Sequence, residues 1–335
     1  MSAITHIAES QSTEDLSSSV EPLILRCRRN LVADLRGAPK SDLLVRYFQG
    51  GKMLRARLVF MAASAVGGDP RTVSLAAQAI ELLHGASLVH DDIIDESAER
   101  RGFPALHVEV GIGTALALGD YLMLRAFAVL AAASSVQGVC HGSDVMSIFS
   151  EYAQDCCRGQ ISELGGSTNI DSEEKYIAMV RGKTGSLFAS ATTIGATLAG
   201  GGAPEIEALR EFGLSFGVAF QIYDDMLELV GTSWLDGEPI GRSLAQGRPS
   251  LSLIYLAKYD RPANRGERLP LSQSKYSPEE ISSLLKQEDI LDLVITVQNS
   301  HIDCALDALK SLRSSRDIDA LSLLVHEYRF GRIGR

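Results

Sequence analysis

"SLVHDDIIDESAERRGFP" (87–104) crowds three aspartates and a glutamate between positions 91 and 96, and two adjacent arginines follow. The residues before it, from 73 to 95, carry apolar side chains at helical spacing, so the acids stand at a helix end. Asp91 and Asp95 are four apart and share one face, and His84 lies seven before Asp91 on the same stripe. Carboxylates are disfavoured at a helix C-terminus and repel one another when stacked, so this end calls for a cation. A second stretch, "AFQIYDDMLELVG" (219–231), repeats the arrangement 133 residues later. There Asp224 and Glu228 are four apart, with Gln221 one turn below Asp224 and Asp225. Magnesium takes hard oxygen ligands, typically one or two carboxylates completed by substrate phosphates and water. Two such ends facing each other suit a metal-bridged polyphosphate; a solvated acidic face is the bland alternative.

Around these stretches the pattern is helical nearly throughout: 73–95, 114–133, 145–164, 175–199 and 206–230 are long and poor in proline. Short Gly/Pro/Ser breaks separate them, and no strand alternation or βαβ rhythm appears. The expectation is an all-α, single-domain bundle of long helices around a central active-site cavity, over 21–335. Residues 1–20, polar and rich in Ser, Thr and Glu, read as a disordered leader, and 261–278 as a surface loop. The chain of 335 residues is 45% hydrophobic, ample for a large core. Its net charge of −10 argues against binding nucleic acid or an anionic membrane. The apolar segment 115–133 contains Asp120 and Arg125, which favours a buried core helix over a membrane span. Five irregularly spaced cysteines indicate neither a disulfide framework nor a zinc site, and point to the cytoplasm.

A diphosphate needs counter-charge beyond its metals. Arg100 and Arg101 supply planar forks that match phosphate oxygens. "GGKMLRAR" (50–57) adds Lys52 and Arg55, three apart at a helix start preceded by glycines, a favourable place for an anion. "RGKTGS" (181–186) is not a P-loop: Ile177 stands where the first glycine belongs, and no strand precedes it. Lys183 and Thr184 can still meet phosphate from a helix.

The ordered set "GGKMLR", "HGASLVHDDIID", "RRGFPALH", "GDYLMLRAF", "RGQISEL", "KTGSLF", "GVAFQIYDDMLEL" and "GRPSLSLIYLA", between about 49 and 256, resembles the trans-isoprenyl diphosphate synthases. The geranylgeranyl diphosphate synthases are the members it is most similar to. The resemblance implies a magnesium-dependent prenyltransferase that condenses isopentenyl diphosphate with an allylic diphosphate, with three Mg2+ ions per site, in a homodimer. It assigns Asp91 and Asp95 to metal with Asp92 in support, and Asp224 to a third ion helped by Asp225. Lys52, Arg55, His84 and Arg101 would grip isopentenyl diphosphate. Arg100, Lys183, Thr184 and Gln221 would face the allylic diphosphate, and Arg248 keeps a basic charge of the family's later loop. That loop departs from the pattern at Glu238, where the family has lysine, and at Ser243, where it has aspartate; Arg242 lies near enough to compensate.

The residues four and five before the first aspartate sit beneath the growing chain in this family. Here they are Ser87 and Ala86, both small, which implies elongation past fifteen carbons to a C20 product. Met123 and Phe127, four apart on the "GDYLMLRAF" helix, are candidates for the floor, with core packing as the alternative role. Two other functions compete. A class I terpene cyclase needs one diphosphate and leaves Lys52, Arg55 and Arg101 without purpose. A regulatory subunit would be free to lose the metal acids, which this chain keeps.

Overall fold

A helix that is buried all round belongs at the centre of a bundle, and all thirteen residues of Ser186–Leu198 are buried. Its side chains are mostly small, so neighbours come close: a Cβ on Gly195 would lie 2.4 Å from the Val59 carbonyl. The computed structural model describes residues 20–136, 142–165, 170–230, 248–259 and 289–330. The loop bearing Glu238, Arg242 and Ser243, the segment 261–278 and residues 1–19 lie outside the described residues.

In chain order come α1 (Glu21–Leu35), α2 (Ser41–Gln49), α3 (Leu54–Ala65), a 3-10 turn (Pro70–Val73) and α4 (Ser74–Ile94). A two-residue antiparallel ladder follows, β1 (Glu99–Arg100) with β2 (Phe103–Pro104). Then come α5 (Leu106–Val110), α6 (Ile112–Val136), α7 (Gly142–Leu164) and α8 (Glu173–Val180). A single π turn (Arg181–Gly185) leads into α9 (Ser186–Leu198) and α10 (Ala203–Val230). The described chain closes with α11 (Leu251–Tyr259), α12 (Ile290–Leu309) and α13 (Arg316–His326).

The fold is all-α, as the periodicity indicates. α9 packs against α3, α4, α7 and α10, which brings the C-terminal ends of α4 and α10 and the π turn into one neighbourhood. Two buried apolar clusters form the core, and both draw on α10 and α12.

Three local differences from expectation have physical causes. The segment expected as one helix over 175–199 is α8, the π turn and α9, because Gly159 of α7 presses against Gly182–Lys183. Val20, counted with the leader, is buried, and its carbonyl accepts from the Leu23 and Ile24 amides. Helix α6 is buried along one face only: Ile112, Leu116 and Leu124 are bare on the other. By length and composition the helical stretches Pro70–Ile94 and Ile112–Ala133 both suffice to cross a membrane, and the first is two-thirds buried inside the protein (67%).

Candidate active site

The last turn of α4 splits its aspartates between two tasks. Asp92 is buried, at 1% exposure. Its Oδ1 accepts from Arg100 Nε at 2.9 Å and also from Nη2, and its Oδ2 accepts from the Tyr47 hydroxyl at 3.0 Å. Arg100, expected on the allylic diphosphate, is thus held on Asp92, and the β1–β2 ladder presents it there. Asp92 supports the site through Arg100. Burial, with the Asp92 carboxylate beside it, holds the Tyr47 phenol well above its ordinary range.

Asp91 is in the opposite condition. Burial pushes its carboxyl up to about 6; Asp95 and Glu163 add to this, while Lys183 and Arg248 pull against it. Asp95, at the end of α4, is raised by burial too, although Arg248 forms an ion pair with it. Arg248, expected to serve substrate, lies on this acid in the ligand-free protein.

The π turn delivers Lys183 to the same place. The Ser186 amide reaches back five residues to the Arg181 carbonyl, and the Cys156 thiol donates to the Lys183 carbonyl at 3.2 Å. Such bulges recur at functional sites because the extra residue re-aims side chains. Gly159 permits it: a Cβ there would lie 2.1 Å from the Lys183 nitrogen. Lys183 Nζ is bonded to Glu163, which also accepts from Gln160 at 3.1 Å. Burial acts to lower the Lys183 pKa, but Asp91 and Glu163 outweigh it and the net shift is upward. Burial pushes the Cys156 thiol up to about 12, so it stays a neutral donor.

On α10, Asp224 is exposed and Asp225 is tied down. Tyr176 donates to Asp225 Oδ2 at 2.5 Å, and Gln221 Nε2 to Oδ1 at 2.8 Å. The Gln221 oxygen accepts from Thr184 at 2.7 Å, so Thr184, Gln221, Asp225 and Tyr176 form one chain. Burial pushes Asp225 up to about 6, and the Tyr176 and Gln221 hydrogen bonds pull it back down. Asp225, expected beside the metal, orients the wall that carries Asp224.

A basic group lies between α3 and α4. Arg55 has its guanidinium 4.8 Å from the Phe188 ring centroid, and Asp224 is near enough to act on its charge. Burial lowers the Arg55 pKa, with Glu81 opposing. His84 is held well below the usual imidazole range by burial and by Arg55, Arg101 and Arg100, so it is neutral. Arg55 Nε and His84 Nδ1 are buried and find no hydrogen-bond partner among the described residues. Arg55 Nε can only donate, and a buried donor left this way calls for an anion, while the His84 ring nitrogen donates or accepts according to its tautomer. Arg101, at φ 54°, crosses over the glycine loop and donates to the Tyr47 and Gly50 carbonyls at 2.9 and 3.1 Å. Lys52 is exposed, its ammonium 5.9 Å from the Tyr328 ring centroid.

Below the acids, Ala86 is buried and Ser87 half-buried, its hydroxyl donating to the His84 carbonyl at 2.8 Å. Met123 and Phe127 on α6 pack on the core, and Phe127 meets Phe149 edge-on at 4.9 Å. The sequence reading missed Tyr47, Glu81, Glu163, Tyr176 and Arg28. Only Glu163, inside "RGQISEL", had a motif to find it by.

Two halves therefore face one another: raised, cation-seeking carboxyls, and a buried arginine donor seeking an anion. Among the described residues no three carboxylate, imidazole or thiol groups come together to enclose an ion by themselves.

Residues 41–287 match the family model described as Polyprenyl synthetase. The chain is 30% identical over 269 residues to a geranylgeranyl diphosphate synthase of Saccharolobus solfataricus, covering 78% of this chain and 80% of that one. It is 26% identical over 322 residues to an octaprenyl diphosphate synthase of Haemophilus influenzae, covering 94% and 96%. Its fold matches a polyprenyl synthase of Caulobacter crescentus, crystallised with calcium and isoprenyl diphosphate, at a TM-score of 0.82, 27% identity and 98% and 100% coverage. The family model, the curated relatives and the fold agree over most of the chain, and the protein belongs to the polyprenyl synthetase family as a trans-prenyltransferase.

Proposed function

We propose that the protein condenses isopentenyl diphosphate with an allylic diphosphate by ionisation, condensation and elimination, and that its product is geranylgeranyl diphosphate (C20). The observation that carries the reading is the pairing of raised carboxyls at Asp91 and Asp95 with the unpartnered buried donor of Arg55, beside the unpartnered ring nitrogen of His84. One group calls for divalent cations, the other for a diphosphate.

The carboxylates of Asp91, Asp95 and Asp224 are hard oxygen donors, and Mg2+ fits them. When bound, magnesium neutralises charge on the allylic diphosphate and makes it a better leaving group; three ions per site is the family's expectation. Lys183 and Arg100 carry fixed positive charge toward the leaving diphosphate, Lys183 held by Glu163 and Arg100 by Asp92. Thr184 and Gln221 shape the same wall. Lys52, Arg55, Arg101 and neutral His84 hold isopentenyl diphosphate.

The allylic C–O bond breaks with its electron pair leaving on diphosphate. The isopentenyl double bond attacks the allylic carbon to form the new C–C bond, and the adjacent C–H gives its proton to the released diphosphate. Apolar walls from α4, α6 and α9 exclude the water that would quench the cation. Ala86 and Ser87 leave room for the chain, which favours C20 over C15.

The bare stripe of Ile112, Leu116 and Leu124 supports a homodimer formed through α6. The free thiols at Cys27, Cys156, Cys157 and Cys304 fit a cytoplasmic setting. Purified protein incubated with Mg2+, isopentenyl diphosphate and each allylic diphosphate in turn, with products identified by mass, tests the reading. Chain extension to C20 is expected, and Asp91→Ala should abolish it. Hydrocarbon release, or no product with any primer, would sink the proposal.

A further inference from the structure

Arg28, on α1, belongs to neither diphosphate group, yet its side chain is fully engaged with the glycine loop. Nη1 donates to the Gln49 carbonyl at 2.5 Å and the Gly50 carbonyl at 3.3 Å, and Nη2 to the Gly51 carbonyl at 2.7 Å. Arg101 Nη1 takes the Tyr47 carbonyl and shares that of Gly50. Two guanidiniums thus hold every carbonyl from Gln49 to Gly51. Across a planar trans peptide the N–H points opposite to the C=O. Fixing those three carbonyls on Arg28 therefore turns the amides of Gly50, Gly51 and Lys52 away from it.

The loop is shaped for this. Gly51 has φ 85° and Met53 φ 48°. A Cβ on Gly51 would lie 2.6 Å from Arg101 Nη2, so a side chain there would push the guanidinium off. Glu81 anchors the assembly: it is buried, accepts from the Ala56 amide at 2.9 Å, and lies within electrostatic reach of Arg28, Arg55 and Arg101.

We propose that Arg28 is a positioning residue for isopentenyl diphosphate: by clamping the Gln49, Gly50 and Gly51 carbonyls it aligns the amides of residues 50–52 with Lys52 and Arg55 on one anion. This rests on the reading that isopentenyl diphosphate binds at Lys52, Arg55 and His84. Arginine is required because its fork reaches three carbonyls, whereas an ammonium is a single point of charge.

The test uses full-length Arg28→Met and Arg28→Lys. KM for each diphosphate is measured with the other saturating, and binding of isopentenyl diphosphate alone is followed by calorimetry. For Arg28→Met, KM and Kd for isopentenyl diphosphate should rise on the order of tenfold, with kcat and the allylic KM within about twofold. Arg28→Lys should fold with its charge retained and still show most of the rise. The proposal is overturned by an unchanged isopentenyl KM in Arg28→Met, by an equal rise in the allylic KM, or by full rescue in Arg28→Lys, which would mean that charge alone matters. Should Arg28→Met fail to fold, the Lys variant decides by the same KM comparison. Wild-type protein that binds no isopentenyl diphosphate would instead refute the proposed function.

Discussion

Gly159→Ala asks whether a helix-to-helix contact sets the position of Lys183. The new Cβ would lie 2.1 Å from the Lys183 nitrogen and 2.7 Å from its Cα, where real Cβ atoms stay beyond 3.0 Å. Both neighbours are backbone, so no side chain can swing away; the π turn must back off from α7 by roughly 1 Å, and a displacement of that size at a catalytic group costs about 100-fold in rate. That equals about 2.7 kcal/mol of activation free energy. Stability should change much less. Overpacking costs about 1–3 kcal/mol, but alanine is the better helix former by about 1 kcal/mol, and the two partly cancel. The assay is kcat at saturating isopentenyl and allylic diphosphates with Mg2+, beside thermal unfolding followed by circular dichroism. In a Lys183→Met background Gly159→Ala should cost little more, because both act through the same group. A folded Gly159→Ala protein with kcat within about threefold of wild type would refute the reasoning.

Tyr47→Phe leaves the buried Asp92 Oδ2 without its 3.0 Å donor, and should destabilise the protein by about 1.5–3 kcal/mol, since the acceptor is charged; an unchanged urea midpoint would contradict it. Asp91 and Asp225 are both held up at about 6, above the unfolded carboxyl value of 3.8, so the folded state keeps protons that the unfolded chain has lost. Their contribution is present at low pH and disappears as pH rises through about 6. His84, His301 and His326 are held below 6.5 by burial and act in the opposite sense over the same window. The Tm difference between wild type and Asp225→Asn in EDTA cancels those groups and should increase on going from pH 7 to about pH 5; a difference that stays flat excludes it. Phe127→Ala removes one ring of the Phe127–Phe149 pair and should shift the product distribution to longer chains, read by mass. Unaltered products would leave Phe127 a packing residue only.

The acidic helix ends were legible because carboxylates at i and i+4 after an apolar run are a local pattern, and local patterns survive in one dimension. Lys183 was legible as a phosphate ligand, but the turn that aims it was not. Its cause is the contact between Gly159 and Gly182–Lys183, more than twenty residues apart in sequence. The same holds for the partners that fix the charges: Tyr47 reaches Asp92 across 45 positions, Tyr176 reaches Asp225 across 49, and Glu163 reaches Lys183 across 20. None of these pairs has a spacing that a helix or strand would announce. Arg100 and Arg248 read as substrate arginines because a diphosphate suits them, but their ion pairs with Asp92 and Asp95 were not legible, since tertiary structure makes them.

Glu81, His84, Ala86, Ser87, Asp91 and Asp92 all ride on α4, a single rod of 21 residues. His84 and Asp91 are seven residues apart on it, a separation of roughly 10 Å fixed by the helical rise. Under the proposed reading, the span between the two bound substrates is thus a yardstick cut into one helix, beyond the reach of loop variation. Descendants of this chain can exchange Ala86 or Ser87 for bulkier or slimmer residues and so change how long a hydrocarbon fits. The marks that bring the two reacting carbons together stay where they are.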